Sequence, residues 1–128
     1  PAHDARAEDL RRKAVALYRG DFLPSLDAEW VYVRRDMLAE LYLDTLIGLG
    51  RCAQARNDYR TAIATFHEAL SVDPYREEIH REIMSCYGEM GERGRVLDHL
   101  RELRRLFRRE LSAEPTEETL RFAQSLLS

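Results

Sequence analysis

Lysine is all but missing from this chain: Lys13 is the single lysine among twenty basic residues, and the others are arginines. A GC-rich genome produces that bias, and the composition gives it more weight than selection for bidentate anion recognition. A surplus of either charge is missing too. The net charge is −3, so nothing pulls the whole molecule toward nucleic acid or an anionic membrane. No stretch approaches the roughly 18 apolar residues of a membrane-spanning helix, and no charged-apolar-small leader opens the chain. A soluble, cytoplasmic protein without a membrane partner is expected. Strand signals are lacking as well, with no alternating run and no Asn-Gly or Asp-Gly hairpin turn.

The constellations that carry chemistry are incomplete. A helix-borne zinc site needs His-Glu-x-x-His, but His67-Glu68 runs on into Ala69, Leu70 and Ser71. His80 stands among Glu77, Glu78, Arg81 and Glu82, which suits a helix-surface or inter-helix hydrogen-bonding residue better than a base or ligand. His3 and His99 have no cysteine or carboxylate at metal-ligand spacing. Gly88, Gly91 and Gly94 punctuate two helices and form no phosphate loop. Ser85 and Cys86 lie mid-helix without a strained turn to present them. The chain is therefore expected to be no enzyme, with no catalytic residue, no metal and no cofactor. The two cysteines, Cys52 and Cys86, fit small inward-facing thiols better than a disulfide or metal pair.

What is present is helical periodicity. At 128 residues the chain is sized for one domain, burying roughly two-thirds of its unfolded surface. Helices are expected at about residues 5–19, 28–56, 59–72, 76–90, 93–111 and 116–127. In the first, Leu10, Ala14, Leu17 and Tyr18 share a face and Gly20 ends the helix. In the second, Trp30, Val33, Met37, Leu41 and Leu46 form one stripe. Gly48 and Gly50 are its expected bend points, and Gly50 also admits a close partner helix. Asn57 and Asp58 break it, and Asp58 caps the next helix, where Ala62, Phe66, Ala69 and Leu70 recur at helical spacing. Asp73-Pro74 reads as an N-cap followed by a proline at the first helical position. The layout then recurs: Ile83, Met84 and Tyr87 take the places of Leu49, Gly50 and Ala53. Gly91 takes that of Asn57, while Val96, Leu100 and Leu103 take those of Ala62, Phe66 and Ala69. The spacing of the two copies, like that of the two cysteines, is 34 residues.

Leu49-Gly50, Asp58-Tyr59, Ala62, Phe66, Ala69 and Asp73-Pro74 resemble a tetratricopeptide unit. The second unit departs from that pattern, with Met84, Val96 and Leu103 where small residues belong. Ala16-Leu17-Tyr18-Arg19-Gly20-Asp21-Phe22-Leu23-Pro24 and Glu29-Trp30-Val31 precede the long helix. With the later Asp73–Arg81 and Glu110–Thr119 segments, they resemble the bacterial transcriptional activator domain of SARP-type transcription regulators over about residues 8–125. The resemblance implies an all-α fold, a tetratricopeptide-like right-handed array of about six helices (an α-α superhelix), as a single domain over residues 1–128. With Pro1 in place of a starting methionine, it implies the C-terminal fragment of a longer regulator. It also implies a non-catalytic interaction or dimerisation domain. The expected partners are a winged-helix DNA-binding domain of the same protein, the transcription machinery or a regulatory protein, and a possible second copy. No direct nucleic-acid contact is expected.

Two surfaces are candidates for partners. In the tetratricopeptide family the first helices line a concave groove. Asp44, Ile47, Arg51 and Gln54 point there from one unit, and Glu78, Arg81, Ser85 and Glu89 from the next, with Arg51 and Arg81 placed to clamp a carboxylate. The alternative is that the long N-terminal helix pair or another domain of the same protein fills the groove. The second surface is the basic cluster Arg101, Arg104, Arg105, Arg108 and Arg109, in two i, i+4 rows opposite an apolar stripe of Val96, Leu100, Leu103, Phe107 and Leu111. It is either a surface for an anionic partner or a solvated face neutralised by Glu102, Glu110 and carboxylates of the last helix. Three functions stay open: the regulator domain, a free-standing peptide-binding adaptor, and a sensor holding a phosphorylated or nucleotide effector on arginines.

Overall fold

The computed structural model describes residues 7, 8, 10–12, 14, 15 and 28–128, with backbone alone at 28–31 and 33. Residues 7, 8, 10–12, 14 and 15 are helical (α1). Then follow α2 (Ala28–Ala55), α3 (Tyr59–Val72), α4 (Glu77–Glu89), α5 (Arg93–Leu111) and α6 (Glu117–Leu127). No strand occurs among the described residues. The helices stack in chain order, α2 on α3, α3 on α4 and α4 on α5, and α6 returns to pack on both α4 and α5. The result is a tetratricopeptide-like helical array closed at its C-terminal end. The expected Gly20 cap, the Gly20–Pro24 loop, His3 and the side chains of Trp30 and Val33 lie outside the described residues.

The 34-residue period is written into the backbone. Asn57 and Gly91 both adopt left-handed φ, at 62° and 73°. The residue after each closes the same bond across the helix end, Asp58 N to Ala53 O and Glu92 N to Tyr87 O, each at 2.9 Å. Asn57 N and Gly91 N also bond the carbonyls of Gln54 and Gly88, each at 3.0 Å, which completes a Schellman ending in both units. Asp58 then caps α3, accepting from Thr61 N at 3.3 Å. Asp73-Pro74 behaves differently from the expectation. The Asp73 carboxylate accepts from Tyr75 N at 3.1 Å, a side-chain turn that holds Pro74 and Tyr75 outside any helix, and α4 starts only at Glu77.

The core forms where α2, α3 and α4 meet. Leu43, Leu46 and Ile47 face Ala62, Phe66 and Ala69, with Ile79, Ile83 and Cys86 beneath them. Gly50 makes this seam possible: a Cβ built there would stand 2.5 Å from Phe66 Cε1, inside the contact distance of any real side chain. A smaller cluster of Met84, Val96 and Ala123 joins α4, α5 and α6.

Three apolar residues expected to be buried lie open. Met37 and Leu41 are 68% and 46% exposed because the 14-residue α3 runs beside only the second half of the 28-residue α2. Leu111, the last residue of α5, is 44% exposed beyond the reach of its neighbours. Leu10 is exposed as well; α1 instead lays Val15 on the core and Arg11 over Gly48.

Candidate functional site

A groove of about 860 Å³ lies between α1, α2 and α4. Asp44, Ile47 and Arg51 line it because their i, i+3, i+7 spacing sets them on one side of α2. Arg11 crosses from α1 into the space that Gly48 leaves by lacking a Cβ, its Nε 2.4 Å from where that atom would stand. Its Nη1 donates to Cys52 Sγ at 3.2 Å. Cys52 is thus half-buried on the groove, where an inward core position was expected, whereas Cys86 is fully buried. Both occupy the same place in their units and differ in what covers them. Cys86 meets the α2–α3 layer, and Cys52 meets α1.

Charge in the groove is mostly paired. Arg51 Nε holds Glu82 at 2.8 Å and its Nη2 lies 3.6 Å from Glu78, tying α2 to α4. The clamp expected of Arg51 is therefore closed on carboxylates of the same chain. Arg56 holds Glu8 at 3.2 Å. Arg11 and Asp44 are left without an oppositely charged partner among the described residues. Of the other expected groove residues, Arg81 donates to Thr119 Oγ1 at 2.7 Å under α6. Gln54 and Ser85 are half-buried away from the groove lining, and Glu89 is exposed there. Over the second unit, then, α6 of the same chain covers α4, with Ala123 on Met84 and Leu126 on Gly88.

The arginines of α5 turn outward from Val96, Leu103 and Phe107, which are buried. Arg104 Nε and Arg108 Nε both hold Glu114, at 2.9 and 2.5 Å. Glu114 sits in the loop between α5 and α6, so the counter-charge comes from that loop and not from the last helix. Arg105 pairs with Glu102 at 3.3 Å and Arg109 with Glu110 at 3.4 Å. Arg101 is exposed and has no such pair among the described residues.

His80 is an inter-helix hydrogen-bonding residue, one of the two roles expected of it, but its partner on α5 was not foreseen. His80 Nδ1 lies 3.0 Å from His99 Nε2, and His80 Nε2 lies 2.8 Å from Pro74 O. A carbonyl only accepts, so His80 Nε2 carries a hydrogen and Nδ1 is left to accept from His99 Nε2–H. His67 stands edge-on to His99 with ring centroids 6.1 Å apart. Burial holds His80 and His67 below the ordinary 6.5 and pushes His99 down to about 3. A signal was available: His80 precedes Ile83 and Met84 by three and four, and His99 stands three and four from Val96 and Leu103. Those spacings place both imidazoles on buried stripes.

Burial also raises the Cys86 thiol to about 11, the opposite of what a nucleophile needs. Among the described residues no three His, Cys, Asp or Glu side chains are grouped to hold a metal ion. No helix there is long and apolar enough to cross a membrane.

No curated protein and no solved structure matches the chain. A family match spans residues 2–127, from the first helix through the α5–α6 loop to the end of α6, and takes in every segment on which the sequence resemblance rested. The chain belongs to the bacterial transcriptional activator domain family.

Proposed function

We infer that the domain acts without catalysis, as the interaction and dimerisation module of a SARP-type transcription regulator. It works beside a winged-helix DNA-binding domain and carries contacts to the transcription machinery or a regulatory protein. The observation that carries this reading is the family match over residues 2–127. The groove adds a place: Arg11 and Asp44 line it with no counter-ion among the described residues, and its rim is fixed by the Arg51–Glu82 and Arg56–Glu8 pairs. Such an arrangement suits a partner segment that brings one acidic and one basic group.

The test is a reporter assay with the full-length regulator carrying Arg11→Ala and Asp44→Ala together. Activation is expected to fall roughly tenfold, the size of one lost charge-assisted contact pair. Helix content and DNA affinity should stay as in the parent. Unchanged activation would remove the groove from the account.

A further inference from the structure

The outward face of α5 carries one filled carboxylate seat and one open copy of it. Arg104 and Arg108 stand one helical turn apart, and each turns its Nε–H onto a different oxygen of Glu114. Side chains four residues apart on a helix are close neighbours, so a single carboxylate bridges such a pair. Arg101 and Arg105 repeat the spacing in the adjacent row, and both are exposed. Among the described residues Arg105 pairs only with Glu102 of its own helix at 3.3 Å, an exposed pair of the kind that contributes little. Arg101 has no partner among the described residues.

Charge distribution favours an anionic occupant. Helix α5 holds seven arginines against Asp98, Glu102 and Glu110, a net of +4, so the rest of the chain, at −3 overall, carries −7. Within the face, Glu102 and Glu110 would repel a run of phosphates, whereas an acidic protein segment can set a basic residue beside them. Tyr75 stands at the Arg109 end of the face, with its hydroxyl on Glu110 and its ring edge-on to Phe107, so it is held by its own chain and does not interleave with Arg101 and Arg105 to stack a base. A carboxylate on a protein partner therefore fits better than a nucleic-acid backbone.

We propose that Arg101 and Arg105 form a docking seat for a carboxylate of an acidic segment on a partner protein, closing on it as Arg104 and Arg108 close on Glu114. The proposal rests on the reading of this domain as an interaction module, and it uses a face separate from the groove.

Fluorescence polarisation tests it, with a labelled peptide of alternating glutamate and serine as the probe at low salt. Wild-type protein should bind, and Arg101→Glu/Arg105→Glu should bind roughly tenfold or more weakly at unchanged helix content. Arg101→Lys/Arg105→Lys should fall between the two, since lysine keeps the charge and loses the planar fork. Arg12→Glu/Arg121→Glu, which removes the same charge elsewhere, should bind as wild type. Failure of the wild-type protein to bind overturns the proposal, and so does an equal loss in the Arg12/Arg121 variant. Tighter binding of a short duplex DNA than of the peptide at the same salt assigns the face to nucleic acid and also overturns it. Loss of peptide binding in Arg11→Ala/Arg51→Ala, with the α5 variant unaffected, removes this seat while leaving the interaction-module reading in place.

Discussion

Phe66→Ala is expected to cost about 3–5 kcal/mol, the range for truncating a fully buried ring whose surroundings cannot collapse. The ring is wholly buried and fills the space that Gly50 leaves open between α2 and α3. Neither backbone can move in to close the cavity, because Ala62 and Ala69 already sit at the same seam with no exposure. Against a total stability of about 5–15 kcal/mol for an ordinary domain, the loss should leave a large unfolded fraction on mild heating. The complementary change crowds the seam from the other side. Gly50→Ala puts a methyl into the Phe66 ring and should destabilise by about 1–3 kcal/mol, although an open helical glycine replaced by alanine gains up to about 1 kcal/mol. Gly94, with nothing near its missing Cβ, should show that gain. Thermal unfolding followed by circular dichroism checks all three. A gain for Gly50→Ala would mean that the two helices are not held together at this point.

Acidification is expected to have the second large effect. His80 and His99 are neutral where they meet: His80 Nε2–H donates to Pro74 O and Nδ1 accepts from His99 Nε2–H, so a proton added at Nδ1 breaks that bond unless His99 changes tautomer. The groups facing them are His67 on α3, Asp73 before α4 and Glu77 on α4. Burial depresses both imidazoles, His99 to about 3, while the unfolded chain takes up protons near 6.5. The neutral pair therefore contributes its full stability above pH 6.5 and loses it as the pH falls from there toward the folded values. The slope is at most about 1.4 kcal/mol per pH unit for each histidine that stays neutral. Glu77 does not confuse this window. Burial raises its carboxyl, but hydrogen bonds from Thr119 and Thr116 outweigh that and hold it below 4.5. Urea midpoints at pH 7.5 and at pH 5 measure the loss, and His99→Gln should reduce it. An identical pH dependence in that variant would contradict the assignment.

Much of the fold was legible because local chemistry decided it. Asn57 and Gly91 announce the two helix ends, since each tolerates the left-handed φ that a Schellman ending needs. Gly50 opposite Phe66 announces the close seam. The rest depended on which element lies alongside. The apolar stripe on α2 runs past the end of α3, so Met37 and Leu41 have the right spacing but stay exposed. Pro74 went to a turn because the Asp73 side chain caught Tyr75 N, a bond that competes with helix initiation and leaves the same sequence signature. Cys52 and Cys86 hold equivalent places in the repeat and differ only in the layer above them. The arginines were correctly set outward on α5, but their pairing was not readable. It turns on Glu114, which the chain brings back through a loop that periodicity does not describe. His80 was legible as an inter-helix hydrogen-bonding residue, but its pairing with His99 was not, because the two imidazoles come from different helices.

The role proposed for this domain is to couple promoter binding to activation without reading DNA or doing chemistry. The measurement that addresses it most directly compares the full-length regulator with the same protein lacking this domain, recording reporter activation and promoter affinity separately. The account predicts that activation is lost, while promoter affinity falls only by the share that pairing of two copies contributes. Activation and affinity that both survive the deletion unchanged would contradict it.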